Sequence, residues 1–107
     1  MEPWEIWTWQ FEFGEHPVVI VSNAERVRLK EEMVVLSCAT RRAVRPPKPF
    51  EVILDEADGL DWATLCRCDL LYTVSKKSIG TRRGVVTPER RRAIAERVIR
   101  SLAFAQL

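Results

Sequence analysis

Short apolar runs separated by polar, Gly- and Pro-containing segments dominate the chain, a pattern typical of a protein built mainly from β-strands. We predict six strands, over residues 4–13, 17–22, 33–40, 49–54, 63–75 and 80–86. The first alternates, with Trp7, Trp9 and Phe11 on one face. The second and third are continuous apolar runs that indicate burial on both faces, and the fourth alternates as a half-exposed strand. Between them we expect turns, loops or a short helix, over residues 23–32, 45–50 and 57–61.

One helix is predicted near the end of the chain. Thr87 is a suitable N-cap and Pro88 fits the first helical position. Ile94, Val98 and Leu102 recur at helical spacing and form an apolar stripe. Many strands followed by one helix predict a mainly β (α+β) fold. We expect a small, strongly bent antiparallel sheet or SH3-like barrel with the C-terminal helix packed against it.

Length and charge limit the function classes. At 107 residues the chain is expected to form a single domain, residues 1–107. The net charge of +2 hides a segregation: residues 1–16 carry four Glu and no Lys or Arg, whereas residues 80–107 carry seven Arg and two Glu, a balance of +5. Segregated charge suits a polyanion or an acidic protein partner, but charge alone favours a solvated arginine-rich face.

Neither a membrane location nor a cofactor is expected. The chain has no apolar run of about 18 residues and begins without a secretory signal pattern, so we expect a cytoplasmic protein. Cys66 and Cys68 lie two apart and are poor disulfide partners, and with Cys38 they make an odd number, which indicates reduced thiols. Three cysteines and one histidine in this spacing do not predict a metal site.

The order of the motifs resembles the MazF/PemK family of toxin endoribonucleases. WEIWTWQF is similar to the family's opening Gly-Glu-Ile-Trp strand, and HPVVIVSN to its Arg-Pro-Val-(apolar)-Val-Ser-Asn strand. VVLSCAT lies where the family has an apolar strand that ends in Pro-Ile-Thr. The family then carries Val-Arg-Cys-Asp, Arg-Thr-(apolar), Leu-Gly and Ile-Gly-x-Leu-Ser-Pro-Glu, in this order, before the last helix. The corresponding segment of this chain is similar and reads LCRCDLLYTVSKKSIGTRRGVVTPE. The resemblance covers nearly the whole chain.

This resemblance implies a barrel-like homodimer that cleaves single-stranded RNA without a metal ion. It also implies neutralisation by an acidic antitoxin protein, and DNA binding by the toxin–antitoxin complex. The implied reaction is attack of a 2′-hydroxyl on the adjacent phosphate. A base removes the 2′ proton, a cation stabilises the charge that develops on the phosphate, and an acid protonates the leaving 5′-oxygen.

Four residues are candidates for catalysis. Arg67 and Asp69 lie two apart on a predicted strand, so their side chains leave the same face. They are either a phosphate-binding cation and a base, or a simple cross-strand ion pair. Thr40 stands at the family's Thr position, where a hydroxyl can contact the phosphate, but Thr is also a common strand residue. His16 stands at the family's Arg position or is a remnant of a shortened loop. It either transfers protons or binds phosphate, or it is an inert loop residue.

Arg82 and Arg83 are expected to line an RNA path or to contact an antitoxin, and Trp62 is a candidate for stacking on a base. Trp7 is expected in the core.

Two other functions stay open. CcdB-like toxins share the implied fold and poison DNA gyrase by binding it, but such a protein does not need the pair of Arg67 and Asp69. A degenerate family member would act as a nucleic-acid- or antitoxin-binding module, which the missing Arg and short loop favour.

Overall fold

The computed structural model describes residues 1–41 and 44–107. Within them the chain forms six strands and two helices: β1 Glu5–Phe11, β2 Gly14–Ile20, α1 Ala24–Leu29, β3 Glu32–Thr40, β4 Glu51–Leu54, β5 Thr64–Ser75, β6 Ile79–Val85 and α2 Pro88–Ser101. Short 3₁₀ turns follow β4, β5 and α2, at Glu56–Asp58, Lys76–Ser78 and Ala103–Gln106. The strands pair antiparallel in the order β4-β5-β3-β2-β1-β6. The sheet curls into a half-barrel, and the predicted mainly β fold with a C-terminal helix is confirmed.

Both faces of the sheet bury apolar side chains. On one face the stripe of α2 packs, through Ile94 and Val98, on a cluster that includes Ile6, Val19, Leu36, Cys38, Val52, Leu54, Cys66 and Cys68. On the other face Val27 of α1 joins a smaller cluster formed by Val18, Ile20, Met33, Val35 and Val74. β2 contributes Val19 to the larger cluster and Val18 and Ile20 to the smaller one. Its continuous apolar run therefore belongs to a strand that is buried on both faces, as predicted.

The alternation of β1 is also confirmed. Ile6 and Thr8 are buried on the face of the larger cluster, whereas Trp7 and Trp9 pack at the rim of the smaller one. Trp7 is therefore half-buried rather than enclosed in the core, and its indole Nε1–H donates to Glu5 Oε1 at 3.1 Å.

The fourth strand differs from the prediction. β4 begins at Glu51, and its residues Glu51, Val52 and Leu54 are buried rather than alternating with exposed ones. The reason is tertiary. Val52 and Leu54 belong to the cluster on which α2 packs, and the carboxylate of Glu51 is covered by the ion pair with Arg45 from the preceding loop.

A bulge interrupts the pairing of β5 with β3. Leu36 pairs with Leu71 and Cys38 pairs with Cys66, so four residues of β5, 67–70, lie opposite one residue of β3. The extra residues turn towards β4, where Arg67 pairs with Glu51 and the Cys68 N–H donates to the Phe50 carbonyl at 2.8 Å. Bulges of this kind re-aim side chains, and this one carries two of the predicted site residues.

α2 begins at the predicted residues but is capped differently from the prediction. The Thr87 side chain makes no capping hydrogen bond. Instead Asp58 Oδ1 accepts from the Thr87 backbone N–H at 3.0 Å, and Arg90 pairs with Asp55 at 2.7 Å and with buried Asp58. The bonds from Arg90 hold the pKa of Asp55 below its usual range. The turn after β4 therefore anchors the helix by charge as well as by packing.

Among the described residues, no helix is both long and apolar enough to cross a membrane.

Candidate active site

A cleft of about 460 Å³ opens where β2, β3 and β5 meet the loop after β3. We call it the central cleft, and its walls are Glu15, His16, Pro17, Ala39, Thr40, Arg41, Arg45, Leu65 and Arg67. Three residues predicted from the sequence, His16, Thr40 and Arg67, therefore meet in one place. Three arginines and one glutamate line the cleft, so it attracts anions.

Arg67 lines the central cleft and also two neighbouring hollows. It also lines a hollow of about 480 Å³ beside the loop before β4, which we call the loop hollow, and one of about 340 Å³ walled by aromatic rings, the aromatic hollow. Its side chain is exposed and makes no hydrogen bond or ion pair with any described residue. A permanently charged, unpaired guanidinium at this junction is suited to binding a phosphate.

Asp69 lies in the loop hollow, beside Lys48 and Phe50, and not in the central cleft. The two-residue spacing does place Arg67 and Asp69 on the outer face, while Cys66 and Cys68 point inwards. Within the described part of the chain, however, the two side chains do not form the simple ion pair that was the alternative interpretation. The bulge gives Asp69 different neighbours from His16 and Thr40.

His16 is held at the edge of β2 by a tight hairpin. Glu12 and Phe13 separate β1 from β2, and Gly14 takes a positive φ of 139°, which only glycine adopts easily. His16 pairs with Trp9 across the sheet, and its imidazole stacks on Phe11 with a centroid distance of 4.7 Å and an interplanar angle of 9°. The ring is exposed and lines the central cleft.

Thr40 is at the rim of the central cleft. It ends β3 and pairs with Thr64 of β5. Alternation along β3 directs the side chain of Ala39 towards the face of Arg67, and that of Thr40 towards the other face. Thr40 is exposed, so its hydroxyl is accessible at the rim, although it is not on the floor of the cleft.

Arg41 and Arg45 were not among the predicted site residues. Arg45 donates to both carboxylate oxygens of Glu51, at 2.8 and 3.1 Å, and the backbone carbonyl of Arg45 accepts from Arg41 Nη2 at 2.6 Å. The bonds from Arg45 to the carboxylate, with one from the Lys48 backbone N–H, hold the pKa of Glu51 at about 2. Arg41 Nε is buried and has no hydrogen-bond partner among the described residues. The only feature of the sequence that pointed to these two residues was the basic segment directly after Thr40.

Aromatic rings wall the third hollow. Trp9 packs against Phe11 and Tyr72, with centroid distances of 5.1 and 5.4 Å. Tyr72 lies on β5 beyond the bulge and is 41% exposed. Tyr72 was not among the residues predicted from the sequence, because tyrosine in a strand is by itself no signal of a site.

The three thiols are buried and do not line the central cleft, although Cys38 lines the aromatic hollow. Cys38, Cys66 and Cys68 are free and buried. The neighbouring Cys38 thiol and burial raise the pKa of the Cys66 thiol, and the neighbouring Cys66 thiol and burial raise that of Cys68. Thiols with raised pKa values are poor nucleophiles. Among the described residues, no group of three or more His, Cys, Asp or Glu side chains is arranged to hold a metal ion.

The remaining predicted residues are outside the central cleft. Arg82 pairs with Glu5 at 2.8 Å, and Arg83 lies 5.8 Å from the ring centroid of Trp62, which is 53% exposed. A larger hollow of about 710 Å³ lies between the N-terminal residues, α1 and Arg91, and contains none of the predicted site residues.

A family model described as the PemK-like, MazF-like toxin of type II toxin–antitoxin systems matches residues 2–102. The chain belongs to this family. No curated protein matches it.

Solved toxin structures share the fold of this MazF-like toxin. The Mycobacterium tuberculosis toxin MazF-mt6 is 21% identical, with a TM-score of 0.79 over 91% of this chain and 94% of its own. An endoribonuclease in complex with its cognate antitoxin, from a mycobacterial species, is 25% identical, with a TM-score of 0.75 over 99% and 94% of the two chains. A MazE-MazF structure from Deinococcus radiodurans gives 18% identity and a TM-score of 0.71 over 99% and 94%. The curled sheet with its C-terminal helix is therefore the MazF toxin fold.

Proposed function

We propose that this MazF-like toxin is an endoribonuclease that cleaves single-stranded RNA by 2′-hydroxyl attack and needs no metal ion. The observation that carries the proposal is the central cleft, which Arg67, without a hydrogen-bond or ion-pair partner among the described residues, lines together with His16, while the exposed Thr40 lies at its rim. A cation that stabilises negative charge on the phosphate and a side chain that can transfer a proton are groups that this reaction requires. A structural relative named an endoribonuclease supports the assignment.

Each group has a role in the proposed reaction. Arg67 binds the non-bridging oxygens of the scissile phosphate and stabilises the negative charge that develops on them. Protonated His16 contacts the same phosphate and donates its proton to the departing 5′-oxygen. The 2′-oxygen bonds to phosphorus as the bond to the 5′-oxygen breaks, so the products are a 2′,3′-cyclic phosphate and a 5′-hydroxyl. The Thr40 hydroxyl donates to a phosphate oxygen from the rim.

Two carboxylates are candidates for the base that takes the 2′ proton. Asp69 lies in the loop hollow, which shares Arg67 with the central cleft. Glu15 lines the central cleft itself, where its Oε1 accepts from Gln10 Nε2 at 3.1 Å. Glu15→Gln and Asp69→Asn distinguish them, because only loss of the true base slows cleavage strongly. Activity lost equally in both variants would assign the proton to neither residue alone.

The decisive experiment incubates the purified chain with a long single-stranded RNA, with and without EDTA, and analyses the cut ends. We expect equal cleavage in both samples, with cyclic phosphate and 5′-hydroxyl ends. Arg67→Ala, purified in parallel, controls for contaminating nucleases. Cleavage abolished by EDTA, or 5′-phosphate ends, would refute the proposed mechanism.

We further propose that the toxin is a cytoplasmic homodimer, neutralised by an acidic antitoxin, and that the complex of the two binds DNA. Structural relatives have been solved with antitoxins, as MazE-MazF or as an endoribonuclease in complex with its cognate antitoxin. The basic central cleft and the exposed arginines of α2 offer complementary charge to an acidic chain.

One observation favours a second candidate, a non-catalytic module that binds nucleic acid or an antitoxin. Two residues connect β1 and β2, and His16 stands where the resemblance implies Arg. Binding of RNA without any cleavage, at any pH between 6 and 8, would identify this function instead.

A further inference from the structure

We propose that the aromatic hollow binds one unpaired nucleobase of the RNA, stacked on Tyr72, while Arg67 holds the adjacent phosphate. This inference rests on the proposed function, because it specifies how the same site selects its substrate. It adds a base-binding subsite to a site whose chemistry concerns only the sugar and the phosphate.

Tyr72 is an exposed ring on a rigid support. Behind it, Trp9 packs between Tyr72 and Phe11 at centroid distances of 5.4 and 5.1 Å, and Phe11 in turn stacks on His16. This chain of contacts fixes the orientation of the wall before any ligand arrives, which lowers the entropic cost of binding.

Size and charge fit a single base and its phosphate. The hollow measures about 340 Å³, at the lower end of small-ligand sites. Arg67 lines both this hollow and the central cleft, so a base in the first places its phosphate in the second. Aromatic rings beside guanidinium groups form the usual platform for single-stranded nucleic acid.

Trp62 is the competing platform. Trp62 is also exposed, and the Arg83 guanidinium lies 5.8 Å from the centroid of its ring. However, Trp62 lines neither the central cleft nor the aromatic hollow. A base on Trp62 would not be tied to the phosphate that reacts. The structure therefore favours Tyr72, and Trp62→Ala becomes the matched control.

The experiment measures binding without cleavage. The probe is a single-stranded oligoribonucleotide with 2′-O-methyl sugars, which lack the attacking hydroxyl, together with versions in which each base in turn is replaced by an abasic position. Affinity is followed by fluorescence anisotropy. Tyr72→Phe keeps the ring, whereas Tyr72→Ala and Tyr72→Leu remove it. Leu preserves apolar volume in case Ala alters folding, and circular dichroism confirms the fold of each variant.

We expect one abasic position to weaken binding to the wild type by about 5- to 150-fold, the range for loss of one stacked base. Tyr72→Ala and Tyr72→Leu should lose a similar factor on the intact probe and become insensitive to that abasic position. Tyr72→Phe and Trp62→Ala should behave as the wild type does.

Three results would overturn the inference: unchanged affinity in both ring-removing variants, abasic sensitivity that disappears in Trp62→Ala instead, or no binding of the probe by the wild type. These outcomes are independent of the cleavage assay. A protein that stacks the probe but cuts no RNA would disprove the proposed function and leave the subsite in place.

Discussion

Arg67 lies at the junction of three hollows and has a guanidinium with no partner among the described residues. Its position follows from the bulge in β5, which turns residues 67–70 out of the pairing with β3. Its cross-strand neighbour on β4, Glu51, forms no ion pair with it, because Arg45 and the Lys48 backbone N–H already occupy the Glu51 carboxylate. At the residue scale, the proposed catalysis depends on this unpaired cation.

Arg67→Ala should lower the rate of RNA cleavage by about 10²- to 10³-fold, the usual effect of deleting one group that stabilises charge mainly in the transition state. Single-turnover kinetics with a defined RNA measure the rate, and thermal unfolding verifies the fold. Arg100→Ala is the matched control, because Arg100 is exposed on α2 and paired with Glu96 at 2.6 Å. Equal rates for Arg67→Ala and wild type would exclude Arg67 from the chemistry.

His16→Gln should lower the rate of RNA cleavage by about 10²- to 10⁴-fold, because glutamine supplies neither a positive charge for the phosphate nor a proton for the leaving 5′-oxygen. His16→Arg keeps a positive charge at this position but is a poor proton donor, so it should recover RNA binding more than the rate of cleavage. Single-turnover kinetics measure the rate, and fluorescence anisotropy measures binding. A His16→Gln variant as active as wild type would show that His16 is an inert residue at the start of β2.

At the element scale, β6 must approach the turn after β4 closely for the half-barrel to close. Gly84 of β6 lies against the backbone of Asp58 and Gly59, and an added Cβ would overlap the Asp58 carbonyl. The same turn supplies the carboxylates that anchor α2, so the closure of the sheet and the docking of the helix depend on one another.

Gly84→Ala should lower the free energy of unfolding by about 1–3 kcal/mol, because the backbone there has no room to move away from a methyl group. Gly80→Ala on the same strand is the control: its Cβ would meet nothing closer than the Thr8 carbonyl at 3.6 Å. That change should stay within about 0.5 kcal/mol. Urea unfolding measures both, and equal stability of the two variants would show that the close approach of β6 is not a constraint.

The loop between β3 and β4 should loosen in acid. Hydrogen bonds from Arg45 and the Lys48 backbone lower the pKa of Glu51 to about 2, so ionised Glu51 stabilises the folded state above its unfolded pKa of about 4.5. That contribution is lost as the pH falls from about 4.5 through about 2. At pH 7, Glu51→Gln should cost about 1.5–3 kcal/mol, and the difference from wild type should shrink towards pH 2. Urea unfolding at several pH values tests this, and a constant difference would contradict it.

At the scale of the whole molecule, tertiary structure redistributes the basic charge of residues 80–107. Arg82, Arg90 and Arg100 form ion pairs with Glu5, Asp55 and Glu96. Arg91 and Arg97 donate to the backbone carbonyls of Val86 and Ala93. Three of the seven arginines are therefore paired with carboxylates, so the balance of +5 is only partly a free surface charge.

The proposed homodimer should bind its acidic antitoxin less tightly as salt rises from about 0.1 M to about 1 M, because the screening length then falls from about 10 Å to about 3 Å. Calorimetry gives the affinity, and analytical ultracentrifugation of the toxin alone gives its oligomeric state. Affinity unaffected by salt would argue against a charge-driven complex. A monomer at micromolar concentration would disprove the dimer.

The sequence by itself determined the strands, the C-terminal helix and the family resemblance. Their signals are local: alternation in β1, an unbroken apolar run in β2, and Pro88 with a helical stripe in α2. It also named His16, Thr40 and Arg67, which the structure brings into one cleft, on the strength of motifs that lie within single elements.

Only the tertiary structure decided which residues surround those three. The separation of Asp69 from His16, the addition of Arg41, Arg45 and Glu15 to the cleft, and the wall formed by Tyr72 all depend on the register and bulge of β5 against its neighbours. Register is set by contacts between strands that are far apart in the chain, and a period-two pattern specifies the face of a residue but not its cross-strand neighbour. For the same reason, the sequence showed how many arginines the C-terminal segment carries, and the fold decided which of them remain free to meet a partner.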